Sequence, residues 1–517
     1  MVIECVMQDA SDMLPDLNTF LLIDFRRESI EKIPDRLGEL FSALVKMFKV
    51  DIKHIGYEEL TPDERIKFIA TNKNINNSYP VLKSTLRLLR YNFQKNGIVE
   101  GMIIHVPYME DYAIWSNGVD RTPLLPIIER GGLNVVPNGI ILRVLRQPIH
   151  FRRELYVPFE TVDGIKFREI VVTVKIHHRN AGKNRNDKMP LIIYDLCLCG
   201  FDKAMEKYGF TKGEIWLSNH SINNADETSI ELGEGMYLAV KRASLNESET
   251  IINFKRRVIA SYVAIIKELP PYEFRDLFGT GYYKAALGRY TLPLSKTNRT
   301  VLFEDAVDHL NSTIHLLDPP SKHQLATIGV EVEDICDLLR FMFFNIDVRI
   351  SRYNPIDLSG KKIGALDLTL APIVSGIHTK LFKSINSNKN RKNDMDDIAF
   401  RSFIKKSTQY EGICHKSPIY QSAIPRINDN PIITVLCKKF RALDNIESVT
   451  NKVQKKRTVP VSALLAHPSC IMVESIHVVT SSSPCNAGDI NPMVEIDGDG
   501  NFLLNEEDYA LIANVYN

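Results

Sequence analysis

Apolar residues recur three and four apart at Leu37, Leu40, Phe41, Leu44 and Phe48, just behind Pro34. Proline is tolerated in a first helical turn, so this spacing predicts an amphipathic helix over 34–48 that needs a partner surface. From residue 98 to 178 the pattern becomes strand-like. GMIIHVPYM, GIILRVLR and LYVPFETVDGIKFREIVVTVKIHH read as strands, with Asp163-Gly164 as a hairpin turn. Within this region PYMEDYAIWSNGVDRTPLLP, 107–126, places the strand formers Tyr108, Tyr112, Ile114 and Trp115 before Asn117-Gly118. That pair suits the two positive-φ positions of a tight turn and predicts another hairpin.

AGKNRNDKMP, 181–190, is a loop by its glycine, asparagines and proline, and it carries Lys183, Arg185 and Lys188. Helical signals follow. Asp202 can cap a short helix DKAMEKYG that Gly209 ends. Further helices are expected at 253–268, ended by Pro270-Pro271, at 303–316, ended by Pro319-Pro320, and at 331–345. SINSNKNRKND, 384–394, with Lys389, Arg391 and Lys392, reads as an exposed loop, and the last hundred residues return to short strands. The fold class is α+β, with mixed antiparallel sheets and a helical insert.

Composition narrows the partners more than the fold. A chain of 517 residues exceeds one ordinary core, so two to four modules are expected. With 64 basic and 63 acidic residues the net charge is +1, which argues against coating nucleic acid over the whole surface and leaves local patches. The eight cysteines show no C-x-x-C pair, so neither a disulfide scaffold nor a zinc site is indicated. The N-terminal MVIECVMQDASDMLPDL lacks the basic head and apolar run of a signal peptide, and no stretch approaches the ~20 apolar residues of a membrane span. A protein in a reducing cytosol, with no membrane partner, is the expectation.

Candidate chemistry is sparse. EIDGDGNFLLNE, 495–506, sets Glu495, Asp497, Asp499, Gly500, Phe502 and Glu506 at positions one, three, five, six, eight and twelve of a calcium loop. Position one is Glu where Asp is usual, and GDINPMV is no entering helix, so an Asp-Gly hairpin between MVEI and FLL is favoured over calcium. Cys414-His415 and His467 near Cys470 are neighbours in sequence, which seldom makes a catalytic pair in space. No phosphate-loop or dinucleotide-loop glycine motif is present. The residues themselves indicate no catalytic group and no metal ligand.

Four segments, in order, resemble the β subunit of multisubunit DNA-directed RNA polymerases. VPYMEDYAIWSNGVDR is similar to a "P-x-M" strand leading to an "NG-x-x-R" turn in the protrusion module. KMPLIIYDLCLCGFDKAMEKYGF, 188–210, resembles the helix pair of the lobe. NPIDLSGKKIGALDLTLAPIVSGIHTKLFKSI, 354–385, looks like the loop and long helix that re-enter the protrusion. DNIESVTNKVQKKRTVPVSALLAHPSCIMVES, 444–475, is similar to the fork, with "S-x-x-T-x-K", a basic pair and "HPS". The chain departs from the family in its short VPVSALLA, 459–466, and in SSSPCNAGDINP, 481–492, where only Gly488 and Asn491 can correspond to a "TPEG-x-N" turn. Contacts with the RNA–DNA hybrid and with rifamycin-like inhibitors are in doubt at those positions.

The resemblance implies a first protrusion part at 1–145, a lobe at 146–340, a second protrusion part at 341–430 and a fork at 431–517 that leads to the next subunit. Because the chain ends soon after the fork, it looks like the N-terminal piece of a split β subunit, as encoded by giant bacteriophages, with the non-virion type favoured. Such a subunit walls the DNA cleft and part of the RNA–DNA hybrid site. The implied partners are a β C-terminal part, β′ parts, a promoter-specificity subunit, DNA template and hybrid, in the cytoplasm of an infected bacterial host. Mg2+ is expected on another subunit. The basic run Lys452, Lys455, Lys456 and Arg457 would then meet phosphates near the hybrid, and Lys183, Arg185 and Lys188 downstream DNA. Arg121 would pair locally or reach a phosphate. The alternatives are a non-enzymatic nucleic-acid-binding scaffold and a calcium-binding interaction protein, with each basic run a solvated loop.

Overall fold

The computed structural model describes residues 31–47, 51–71, 87–106, 109–144, 148–176, 189–245, 253–293, 298–354, 357–364, 374–384, 396–408, 424–425, 439–442, 469, 487–489 and 494–503. Breaks within these fall at 111–112, 117–118, 123–125, 234, 272, 315, 359, 375, 382–383 and 498. The chain forms two units. One is discontinuous, Met1–Gly132 with Asn354–Asn517, and the other is its insert, Leu133–Tyr353.

The interrupted unit opens with α1 (Ile33–Met47), β1 (Lys53–Glu59), α2 (Pro62–Thr71), β2 (Leu88–Lys95) and β3 (Ile98–His105). Helix α1 is the element expected at 34–48, and it buries Ile33, Leu37, Phe41 and Leu44 at helical spacing. The surface it needs is the antiparallel sheet β1-β2-β3. Phe41 meets the Tyr91 ring edge-on at 5.0 Å, and the buried Tyr91 hydroxyl donates to the Pro34 carbonyl at 3.0 Å. Four short strands follow: β4 (Met109–Glu110), β5 (Ala113–Ser116), β6 (Val119–Thr122) and β7 (Pro126–Glu129). Ser116 lies opposite Val119 across the β5–β6 pair, as the expected hairpin requires. Asn117, Gly118 and the side chains of Trp115 and Arg121 lie outside the described residues.

The insert begins with β8 (Leu133–Val136), β9 (Gly139–Arg143), β10 (Pro148–Glu160), β11 (Lys166–Ile176) and β12 (Met189–Pro190), ordered β12-β11-β10-β9-β8 in one antiparallel sheet. The turn between β10 and β11 closes where Asp163-Gly164 predicts: Gly164 takes φ +85°, and its N–H donates to the Thr161 carbonyl. A bulge between Arg152 and Leu155 adds one residue to β10 relative to β11. Ile149 and Phe151 before the bulge and Val157 and Phe159 after it are buried, while Tyr156, Pro158 and, on β11, Arg168 face solvent.

The rest of the insert is α3 (Ile193–Lys207), a sheet of β13 (Ile215–Ser218), β14 (Glu227–Gly233) and β15 (Met236–Lys241), then α4 (Phe254–Glu268), α5 (Thr280–Thr291), α6 (Arg299–Ile314), α7 (Pro319–Ala326) and α8 (Ile335–Ser351). Both sheets and all of these helices share one hydrophobic core. Local expectations shift in detail. The short helix expected over 202–209 is the second half of α3, set off from a first half that begins at Ile193 by a break at Gly200, where φ is +77°, and followed by Gly209 at φ +89°. Pro319-Pro320 opens α7 as well as following α6, because Asp318 accepts the Ser321 N–H at 2.8 Å as N-cap. Asp334 caps α8 in the same way, which moves that helix from 331–345 to 335–351.

The interrupted unit resumes with β16 (Lys361–Ile363), α9 (Asp397–Ser407), β17 (Ile424–Pro425), β18 (Lys439–Ala442), β19 (Ala487–Asp489), β20 (Glu495–Ile496) and β21 (Phe502–Leu503). Strand β7 is the seam. It pairs antiparallel with β16, Ile127 opposite Ile363, and parallel with β18, Ala442 opposite Ile127. β17 joins β6, and α9 buries Phe400, Phe403 and Ile404 while packing on β3. Thr408 Oγ1 accepts the Ile103 N–H at 3.4 Å, occupying a backbone donor of β3.

Candidate nucleic-acid interface

Most of the cationic residues singled out from sequence lie where side chains are not described. Lys452, Lys455, Lys456 and Arg457 fall outside the described residues, as do Lys183, Arg185 and Lys188. The strands that bracket the second group are described: β11 and β12 are neighbours, with Val174 opposite Met189, so 177–188 connects two paired strands of the insert's sheet. Arg121 stands on β6 between Ile114 of β5 and Pro425 of β17, known by its backbone alone. Lys389, Arg391, Lys392, Cys414, His415, His467 and Cys470 also lie outside the described residues.

Ser469, the last residue of the "HPS" segment, is described and fully buried. Its Oγ accepts the Leu358 N–H at 2.8 Å, joining that segment to NPIDLSG. Two stretches singled out separately in the sequence therefore meet 111 residues apart. Next to this contact Arg130 donates to the Lys361 carbonyl at 3.3 Å and to the Phe502 carbonyl at 3.0 Å, while the buried Lys361 lies 3.6 Å from Glu129.

The 495–506 segment forms the expected hairpin, with Ile496 opposite Phe502. Asp497 Oδ1 accepts the N–H groups of Asp499 at 2.9 Å and Asn501 at 2.8 Å, and Oδ2 accepts the Asn501 side-chain amide at 2.7 Å. Both carboxylate oxygens are thus engaged within the turn, and Gly500 takes the left-handed φ of +84° that the return needs. The hairpin docks through Ile363 N–H to the Gly500 carbonyl at 2.7 Å. Gly498 and Glu506 lie outside the described residues. Among the described residues no group of three or more His, Cys, Asp and Glu side chains is placed to hold a metal.

In the insert, charge is mostly consumed internally. Asp195, 1 % exposed, accepts from Arg340 at 2.7 Å, Lys207 at 2.9 Å and the Tyr208 hydroxyl at 3.1 Å. Asp347 is gripped by Arg257 at 2.7 Å and Arg153 at 2.8 Å; burial pushes its carboxyl up, but the two guanidiniums outweigh this and hold it below its ordinary value. Cys197 and Cys336 are buried thiols, and burial pushes Cys336 up to about 12, which suits packing and not nucleophilic attack. The sequence reading overlooked Tyr156 and Arg168. Their signal was the alternation Tyr156-Val157-Pro158-Phe159, in which the apolar odd positions are buried and Tyr156 and Pro158 are exposed.

The family model described as "Non-virion RNA polymerase subunit" matches residues 3–515. No curated protein matches the chain. No helix among the described residues is long and apolar enough to cross a membrane.

Proposed function

The chain belongs to the family of non-virion RNA polymerase subunits, and from that premise we propose that it is the N-terminal part of a split β subunit of a bacteriophage enzyme. In this reading it walls the DNA cleft and part of the RNA–DNA hybrid site in the cytoplasm of an infected bacterium. The interrupted unit is the protrusion, the insert is the lobe, and the segment with Lys452, Lys455, Lys456 and Arg457 is the fork leading to the next subunit. The observation that carries the reading is the interruption itself: one unit, 1–132 with 354–517, is interrupted along the chain by another, 133–353, in the order of the four resembling segments. The Ser469–Leu358 hydrogen bond supports it by bringing the third and fourth segments together.

Nucleotidyl transfer needs divalent metals held by clustered carboxylates. The described residues offer no such cluster, and the Asp497 carboxylate is engaged by its own turn. We therefore place Mg2+ on a partner chain. A β C-terminal part, β′ parts and a promoter-specificity subunit complete the enzyme; this chain supplies walls and phosphate contacts.

Co-purification followed by RNA synthesis tests the proposal. The isolated chain is expected to extend no RNA, and a complex containing β C-terminal-like and β′-like chains to be active. Activity of the isolated chain, abolished by Asp497→Ala or Asp499→Ala, would overturn it. In the active complex, changing Lys455, Lys456 and Arg457 to alanine should shorten elongation-complex lifetimes for every sequence alike. The same change should flatten the log–log salt dependence by up to about three, with assembly unaffected. Equal slopes and lifetimes would return this run to a solvated loop.

A further inference from the structure

Past the bulge in β10, the outward face of the β10–β11 hairpin carries an arrangement unlike the rest of the insert. Tyr156 is 52 % exposed, and the Arg168 guanidinium lies over its ring, 5.0 Å from the centroid. Arg153, Arg242, Arg256, Arg257, Arg299 and Arg340 each hold a carboxylate. Arg168 has neither a carboxylate nor a hydrogen-bond acceptor among the described residues; its one partner there is the ring. Directly opposite Arg168 is Pro158, whose carbonyl accepts from Lys267 at 3.2 Å. Two residues along β11, Lys166 has a side chain 78 % exposed, held only loosely by Glu160 at 3.7 Å. Behind this face Val157 and Phe159 are buried, so the strand that presents the ring is fixed by the core.

We infer that this face, Tyr156 with Arg168 and Lys166, is a contact site for single-stranded nucleic acid. An aromatic ring on a rigid sheet accepts any unstacked base, and neighbouring cations take the backbone phosphates. Arg168 and Lys166 stand on the same face of one strand, about 7 Å apart, which is comparable to one phosphate-to-phosphate step. Charge favours this ligand: among the described residues of the face, two cations, Arg168 and Lys166, accompany one carboxylate, Glu160. The guanidinium above Tyr156 keeps the ring oriented, and it can contact phosphate without breaking an ion pair. The inference deepens the reading of the chain as a polymerase subunit and rests on it for the source of the strand.

The test uses the full chain and a dye-labelled oligothymidylate, with anisotropy followed across a salt series. Tyr156→Ala should weaken binding roughly tenfold and Tyr156→Phe should leave it near wild type. Arg168→Ala and Lys166→Ala should each flatten the log–log salt slope by about 0.7. Because other basic segments of the chain can also bind, a strand carrying 5-iodouracil supplies the site: its photocrosslink should map to the peptide containing Tyr156. These side chains are exposed, so unchanged thermal melting checks that the variants fold. No binding by the wild type, crosslinks only elsewhere, or unaltered affinity and slope in Tyr156→Ala and Arg168→Ala would each overturn the site. So would variants that lose co-purification with other subunits while binding the strand normally, since the face would then be a protein contact. A chain that binds through Tyr156 but never joins an active polymerase would sink the subunit reading and leave this site standing.

Discussion

The insert and the unit it interrupts reach stability by different routes. In the insert, strands β8 to β11 pair with their sequence neighbours, and all the helices from α3 to α8 close on the same core. The interrupted unit contains one such local piece, α1 against β1-β2-β3. Its seam is non-local: Arg130 binds the Lys361 carbonyl across 231 residues and the Phe502 carbonyl across 372. Loop-closure entropy grows only slowly with length, so a large self-structured insert between β7 and β16 adds little to the cost of pairing them. The insert gathers its elements on one large core, while the seam joins distant segments through strand pairing, the buried Lys361–Glu129 pair and a few side-chain hydrogen bonds.

Breaking the insert's charge network should give the largest effect. Asp195→Ala leaves Arg340, Lys207 and the Tyr208 hydroxyl without their buried acceptor. A loss of about 3 kcal/mol is expected, the low end for a broken buried pair because Arg340 and Lys207 retain some solvent. Hydrogen exchange should show peptides of 133–353 losing protection while those of 87–106 keep it. Uniform loss across both would show that the two units unfold together.

A smaller effect is expected at the seam. Ser469→Ala removes the acceptor of the Leu358 N–H at a fully buried position, which costs about 1–2 kcal/mol. Exchange should quicken in peptides covering 357–364 and leave the insert unchanged. Protection that stays constant at 357–364 would mean the seam does not rely on this bond.

The smallest expected effect is pH-dependent and sharpens the comparison within the insert. Burial pushes the Glu214 carboxyl up, but hydrogen bonds from Lys255, Ser244 and Thr211 outweigh it and hold the pKa at about 2, against an ordinary 4.5. A depressed folded pKa contributes stability that is complete above the unfolded value and lost as pH falls through the folded one. The contribution should therefore be present at pH 7, decline below about 4.5 and vanish near 2. Glu214→Gln should lower stability at neutral pH, with wild type and variant converging in acid-titrated urea unfolding. A constant difference down to pH 2 would contradict the assignment.

Local features were legible because their causes are local. Leu37, Phe41 and Leu44 at helical spacing, Asp163-Gly164 between alternating runs, and Asp497 before Gly500 each determine their geometry within a few residues. Helix ends were read less well, since Asp318 and Asp334 act as caps only where the following turn meets the core. The β-rich sheet of β13, β14 and β15 among the helices was passed over, as were β1, β2, α5 and α9, whose short runs of mixed period do not declare a partner. The cationic segments were legible as charge, and their side-chain positions lie outside the described residues.

What the amino-acid sequence determined by itself is the kind of element at many positions, the turns, the near-zero net charge, and membership of the non-virion RNA polymerase subunit family, whose model matches residues 3–515. Tertiary structure alone decided which elements meet. The pairing of Ile127 with Ile363, the parallel entry of β18 and the meeting of Ser469 with Leu358 are choices among many registers of similar local energy, settled by burial. Alternation states that Tyr156 and Val157 point in opposite directions, but only packing of Val157 and Phe159 into the core turns Tyr156 and Arg168 toward solvent.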